Sequence, residues 1–311
     1  MIEKTHILIA GVTASGKGRL AFDMAKQLDG EILSVDSMKV YRRMDIGTAK
    51  PSPHRREQVR YHLIDVVEPS ESFSVGRYVA FADEAIKDIR QRNKPVIGVG
   101  GTALYIKALL YGLFEGPGKD AHIRMRLRRV ANMKGLQYLH EKLGEKDPEA
   151  AQRIHPNDAK RIIRALEVYE LTGKPISSFQ QQFESQAARH PWTIIGLRRE
   201  KEVESRRINL RAKMMFEKGL VEEVKALLAE DKPLSPQARA AIGYAEVIDY
   251  LNGQYDLDQT VELVKKNTRR LAKNQRTWFK TFGNIRWLDL GEDESPEQIF
   301  ERSMQIIHEE S

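Results

Sequence analysis

Apolar and polar positions follow two regimes along the chain. Over residues 1–115, short apolar runs alternate with amphipathic stretches. THILIA reads as a buried strand, GVTASGKG as a glycine-rich turn and RLAFDMAKQL as an amphipathic helix. EILSVD and YHLIDVV read as further strands, SVGRYVAFADEAIKDIRQR as a helix, and PVIGVGG as a strand feeding the helix TALYIKALLYG. Such alternation predicts a parallel sheet covered by helices.

The pattern changes after FEGPGKD, a turn-rich boundary. Residues 121–182 read as entirely helical, with breaks expected near Gly144, His155-Pro156 and Gly173. In NDAKRIIRALEVYELTG, Asn157 or Asp158 can cap, Ile162, Leu166 and Tyr169 share a face, and Gly173 terminates. A strand signal returns at WTIIGLR, followed by helices over 202–282, a strand NIRWLDL and a last helix. The expected fold is an α/β core with a parallel sheet flanked by helices, built from 1–118 and 190–311. A helical insertion domain, 119–189, interrupts it.

Composition narrows the chemistry. The chain has 311 residues and no cysteine, which excludes disulfides, thiolate nucleophiles, Cys-ligated zinc and Fe–S clusters. The eight histidines form no H-x-x-x-H or H-x-E arrangement. No apolar run approaches the ~18 residues of a membrane span, and the N-terminus lacks the features of a signal peptide, so a cytoplasmic protein is expected. Lys and Arg number 51 against 44 Asp and Glu, a formal +7, with the excess concentrated in 119–189. A basic surface favours polyanions without identifying one.

The octapeptide Gly11-Val12-Thr13-Ala14-Ser15-Gly16-Lys17-Gly18 follows a strand and opens a helix. This is the G-x-x-x-x-G-K-[ST] phosphate loop in its required context. Backbone amides and a helix N-terminus converge on phosphate, and Lys17 adds a point charge. The eighth position is Gly18, where a Ser or Thr hydroxyl would ligate Mg²⁺. PVIGVGG also ends without the strand-end Asp of a nucleotidase, leaving Asp36 and Asp65 as acidic candidates. The loop points to a diphosphate more securely than to ATP hydrolysis.

Longer segments then carry a resemblance. ILSVDSMKVYRRMDIGTAKP (32–51), GVGGTALYIKALLYG (98–112), HPNDAKRIIRALEVYELTGKPIS (155–177), AIGYAEVIDYL (241–251) and TRRLAKNQRTWFK (268–280), with the phosphate loop, resemble the tRNA dimethylallyltransferases. The resemblance implies a P-loop-type core crossed by a channel. It implies transfer of a dimethylallyl group from its diphosphate to N6 of adenine 37 in tRNA, with Mg²⁺ helping the diphosphate leave, by a monomer acting away from membranes. Asp36 then matches the general base and Thr102 the hydroxyl supporting the amine. On the residues alone, Asp36 reads as a strand-end cap or metal ligand ahead of a catalytic group, and Thr102 as a helix cap. Mg²⁺ is expected mainly on substrate diphosphate and water, with Asp36 or Ser37 as the protein donor. Asp36, Ser37, Met38, Lys39 and Thr102 resemble residues around the flipped base; Arg124, Lys160, Arg161, Ile162, Ile163 and Arg164 resemble further tRNA contacts.

The stretch 261–282 adds a geometric argument. On an ideal helix Val264, Leu271, Trp278 and Phe282 fall within about 40° of one another. Lys265, Lys266, Arg269, Arg270, Lys273, Arg276 and Lys280 spread over the opposite face, with no acid among 263–282. An apolar stripe docked on the core would leave a basic face for phosphate. Against the family pattern, Lys39 replaces the usual Gln, Arg43 the usual Gly, and Ala103 a frequent Gly. The competing activities are a P-loop small-molecule kinase, prenyl transfer to free adenine nucleotides, and RNA binding without catalysis.

Overall fold

A computed structural model describes residues 6–112, 116–180 and 189–309. Parts of the boundary expected at 114–120 and of the helical stretch ending at 182 lie outside them. In chain order, the first part runs β1 (His6–Gly11), α1 (Lys17–Gln27), β2 (Glu31–Val35), α2 (Pro53–Gln58), β3 (Tyr61–His62), α3 (Val75–Gln91), β4 (Val96–Gly100) and α4 (Ala103–Tyr111). Next come α5 (Ala121–Lys146), α6 (Pro148–Arg153), α7 (Ala159–Thr172) and α8 (Ile176–Gln180). The chain closes with β5 (Trp192–Arg199), α9 (Lys201–Glu217), α10 (Leu220–Leu228), α11 (Pro236–Arg239), α12 (Tyr244–Leu251), α13 (Leu257–Phe279), β6 (Ile285–Leu290) and α14 (Pro296–Glu309). Two compact units result: Met1–Leu110 with Ala188–Ser311, and Tyr111–Ala187. Among the described residues, no helix is long and apolar enough to cross a membrane.

In the first unit the strands form one parallel sheet in the order β3-β2-β4-β1-β5-β6. All six residues of β1 are buried. Ile7 and Ile9 pack with Leu20 and Met24 of α1 and with Ile299 and Ile307 of α14. Leu8 and Ala10 point the other way and are equally buried, so both faces are covered, as continuous apolar strands require. The expected third strand, YHLIDVV, shrinks to Tyr61–His62 and one bridge between Tyr41 and Val67. Leu63 and Asp65 adopt left-handed φ values of 62° and 58°, which no strand can continue through.

The adjacent strands β2, β4 and β1 end at Asp36, Thr102 and the phosphate loop, the crevice where open parallel sheets bind ligands. β2 and β4 come unusually close there. A Cβ on Gly100 would lie 2.0 Å from the Val35 carbonyl oxygen, so position 100 admits only glycine.

The second unit is helical and has its own core around Leu127, Leu139, Leu143, Ile162 and Leu166. Gly144 does not break the chain; it lies inside α5. The interruption falls at Gly135, with φ 86° and ψ 160°, and the helix ends at Asp147, whose side chain caps α6 by accepting from Ala150 N at 2.9 Å. Asp158 caps α7, and Gly173 ends it in the left-handed conformation at φ 69°.

Candidate active site

The phosphate loop is built by main chain and braced from elsewhere. Gly16, at φ 106°, stands as N-cap of α1 without a side chain to satisfy the helix's first amides, which leaves them for an anion. Lys17 folds back to donate from Nζ to the Val12 carbonyl at 2.9 Å. Three arginines close over the outer side. Arg207 donates to Ala14 O at 2.9 Å, Arg199 to Ser15 O at 3.4 Å, and Arg211 to Thr13 Oγ1. From α13, Gln275 accepts from Thr13 N at 2.9 Å and donates to Gly101 O at 2.7 Å. One amide therefore ties the loop after β1 to the turn after β4.

Asp36 and Thr102 stand beside this loop. Asp36 Oδ1 accepts from Met38 N at 2.8 Å and Lys39 N at 3.2 Å, which fixes the carboxylate while committing one oxygen to the turn. Thr102 Oγ1 accepts from Ser37 N at 3.2 Å, holding the two strand ends together across 65 residues of sequence. Thr102 also opens α4, its carbonyl accepting from Tyr105 N at 2.8 Å and Ile106 N at 3.0 Å.

Two cavities, of about 740 Å³ and about 470 Å³, share Thr13, Lys17, Asp36, Thr48 and Arg211 in their walls. The larger is lined by the phosphate loop, Arg207 and Lys39. The smaller is lined by Thr102, Met38, Gln275, Leu271 and Trp278. Burial and neighbouring cations depress the two lysines at the junction. Burial, then the Arg211 and Lys39 charges, bring the Lys17 amine down to about 7 against the pull of Asp36. Burial also lowers Lys39 and Arg211, each opposed by Asp36. A group of cations held below their ordinary range stores affinity for an anion.

The donors for a resident Mg²⁺ do not assemble. Gly18 offers no hydroxyl, and Asp36 is the one carboxylate in the described walls of the two cavities. No group of three His, Cys, Asp or Glu able to hold a metal occurs among the described residues. Asp65, the other acidic candidate, is bound by Lys50 at 2.5 Å and Arg56 at 2.7 Å, which hold its carboxyl below the usual range despite burial. Its part is to fix the loop carrying 45–65.

The remaining predicted residues divide. The apolar stripe of α13 does not dock on the core as a whole. Val264 is buried, but Leu271 is 39% exposed, and it joins Trp278 in the wall of the smaller cavity. The basic face is partly spoken for: Arg276 pairs with Glu204, Arg269 donates to Asn209 at 2.5 Å, and Lys265 pairs with Glu262 at 2.7 Å. Arg270 and Lys273 stay exposed. In the helical unit, Lys160 and Arg161 are exposed, Arg161 lying 3.4 Å from Asp158. Ile162 and Ile163 carry no side-chain contact surface, being 0% and 7% exposed in that unit's core. Arg124 and Arg164 grip the fully buried Glu167, each at 2.7 Å, so their first duty is structural.

Arg199, Arg207, Arg211 and Gln275 escaped the sequence reading. The i, i+4 spacing of Arg207 and Arg211 put two cations on one helix face and was the available signal. Gln275 offered none.

Known proteins resemble this chain over most of its length. The family model described as IPP transferase matches residues 39–282. A tRNA dimethylallyltransferase of Acetivibrio thermocellus is 45% identical over 294 residues, 94% of each chain. The full-length tRNA isopentenylpyrophosphate transferase of Bacillus halodurans superposes with a TM-score of 0.71 at 38% identity, covering 98% of this chain and 97% of that one. A eukaryotic dimethylallyltransferase acting on tRNA gives 0.82 at 27% identity, with 98% and 80% covered. The chain belongs to the IPP transferase family, that of the tRNA dimethylallyltransferases.

Proposed function

We propose that the protein transfers a dimethylallyl group from dimethylallyl diphosphate to N6 of adenine 37 beside the tRNA anticodon. The observation that carries this reading is the junction of the two cavities, where a phosphate loop with its cations meets a fixed carboxylate. The diphosphate lies on the amides around Gly16, Lys17 and Gly18, with Lys17 and Arg211 taking its charge, while the Thr13 amide is held by Gln275. Adenine, drawn out of the anticodon stack, enters the smaller cavity between Thr102 and the apolar wall of Leu271 and Trp278; flipping costs a few kcal/mol.

The exocyclic amine is a weak nucleophile, because its lone pair is delocalised into the ring. As the N6–C1 bond forms, the C1–O bond breaks and its electron pair leaves with the diphosphate. One N6 proton passes to the free Oδ2 of Asp36. A positioned base of this kind contributes about 10²–10⁴-fold, and the cations add stabilisation where negative charge develops. Thr102 can donate its hydroxyl proton toward the reacting base. The exposed cations Arg270, Lys273, Lys160 and Arg161 supply phosphate contacts whose binding energy offsets base flipping. Acting on tRNA, the protein works in the cytoplasm, as a monomer.

The test is incubation with Mg²⁺, dimethylallyl diphosphate and an anticodon stem-loop containing adenine 37, followed by mass spectrometry of the nucleosides. Prenylated adenosine is expected in the stem-loop. Parallel reactions replace the stem-loop with AMP or the diphosphate with ATP. Phosphate release from ATP without modified adenosine would establish the kinase instead.

A further inference from the structure

Two features of the larger cavity are unusual and belong together. Position 18, in the first turn of α1, lacks the hydroxyl with which a phosphate loop anchors a divalent cation. Nothing lies within 4 Å of where a Cβ there would sit. Across the same cavity stands Lys39, whose backbone amide is pinned by Asp36 and whose side chain lines the wall.

The cations that crowd Lys39 have partners. Lys17 donates to Val12 O, Arg211 to Thr13 Oγ1, and nearby Lys50 to Tyr41 O, Asp45 and Asp65. The Lys39 ammonium makes no hydrogen bond or ion pair with any described residue, although it feels Asp36, Arg211 and Lys50. The diphosphate cavity supplies the place for an anion.

We infer that Lys39 is a diphosphate ligand whose ammonium takes over the charge neutralisation that a loop-anchored divalent cation would perform, so that this chain holds a diphosphate without a resident metal. The inference rests on reading the larger cavity as the diphosphate site. A lysine and a metal are alternatives here for a simple reason. Both present compact positive charge to the same oxygens, and the loop has lost the metal's anchor. The carboxylate of Asp36 lies close enough to favour the charged lysine, yet it makes no ion pair that would compete with the ligand.

Inorganic pyrophosphate is the probe, titrated calorimetrically into the full chain with excess EDTA and again with Mg²⁺. Wild-type protein is expected to bind in EDTA nearly as well as in Mg²⁺. Lys39→Gln should lose at least about tenfold in EDTA, the scale of one charge-assisted hydrogen bond, while Lys39→Arg keeps most of the affinity. Adding Gly18→Thr to Lys39→Gln should restore binding in Mg²⁺ only. Wild-type binding that requires Mg²⁺ would overturn the inference and leave the diphosphate site intact. Equal affinities of wild type and Lys39→Gln in EDTA would overturn it as well. No binding under either condition would remove the diphosphate site itself. The wild-type comparison stands even if a variant fails to fold.

Discussion

Gln275 holds Thr13 by its main-chain N–H at 2.9 Å, and with the other end of the same amide it reaches Gly101 at 2.7 Å. The phosphate loop and the turn bearing Thr102 are thereby set by one side chain from a distant helix. Gln275→Leu keeps the volume and loses both bonds. Each is worth about 1 kcal/mol, more where a buried group is left unpaired, so kcat/KM for dimethylallyl diphosphate should fall at least about tenfold. Steady-state kinetics of prenyl transfer measures this. An unchanged kcat/KM would show that the loop holds its shape alone.

Asp36 has separable duties. Oδ1 accepts two turn amides, and the residue lines both cavities. Asp36→Asn can still accept both amides but cannot take the proton, so single-turnover transfer should slow by about 10²–10⁴-fold. Stem-loop affinity in a filter-binding assay should be unchanged. Asp36→Ala also loses the turn and should weaken both. A full transfer rate in the Asn variant would send the proton elsewhere.

Glu167 carries the helical unit's one described carboxylate gripped by two arginines. Its side chain is 0% exposed, and hydrogen bonds from Arg124 and Arg164 outweigh burial to hold its carboxyl at about 2 instead of 4.5. The unfolded state therefore takes up this proton first on acidification. The stabilisation is complete above pH 4.5 and is lost as pH falls through about 2. At neutral pH Glu167→Ala should cost about 3 kcal/mol or more, since it removes the buried carboxylate that two cations share. Urea melts of wild type and variant should converge toward pH 2. Parallel curves at all pH values would contradict the assignment.

Arg43 stands at φ 60°, a conformation that favours glycine, and offsets it by binding Glu230 at 2.7 Å and Glu68 at 2.5 Å. Arg43→Ala loses the ion pairs and keeps the backbone cost. Arg43→Gly loses the same pairs and relieves it, so the glycine variant should be about 1 kcal/mol the more stable of the two. Thermal denaturation of both checks the order.

The parts of the site legible in the sequence were those written contiguously. The loop from Gly11 to Gly18 declared its element and its chemistry within a few residues, whereas Asp36 and Thr102 showed only that each follows a strand, their roles coming from the family resemblance. What was hidden depended on distant partners. Arg276 looked like a free cation on a basic face until Glu204, 72 residues away, was placed against it. Leu271 and Trp278 looked like core because periodicity reports apolarity and not whether the surface faces a helix or a cavity. Leu63 and Asp65 looked like strand because no residue type announces a left-handed turn secured by Lys50. The resemblance to a family could name Ile162 and Ile163 as contacts, whereas their spacing on α7 put them in the core.

Gly100 and Val35 pair in register and leave no room for a side chain between them. The separation of Asp36 from Thr102 is thus measured in main-chain units and owes nothing to how the surrounding apolar side chains interlock. Exchange of one core residue for another can loosen helices on the sheet without pulling Asp36 from Thr102. The working geometry is insulated from the ordinary drift of the interior, and its vulnerability is concentrated in a single missing methyl group.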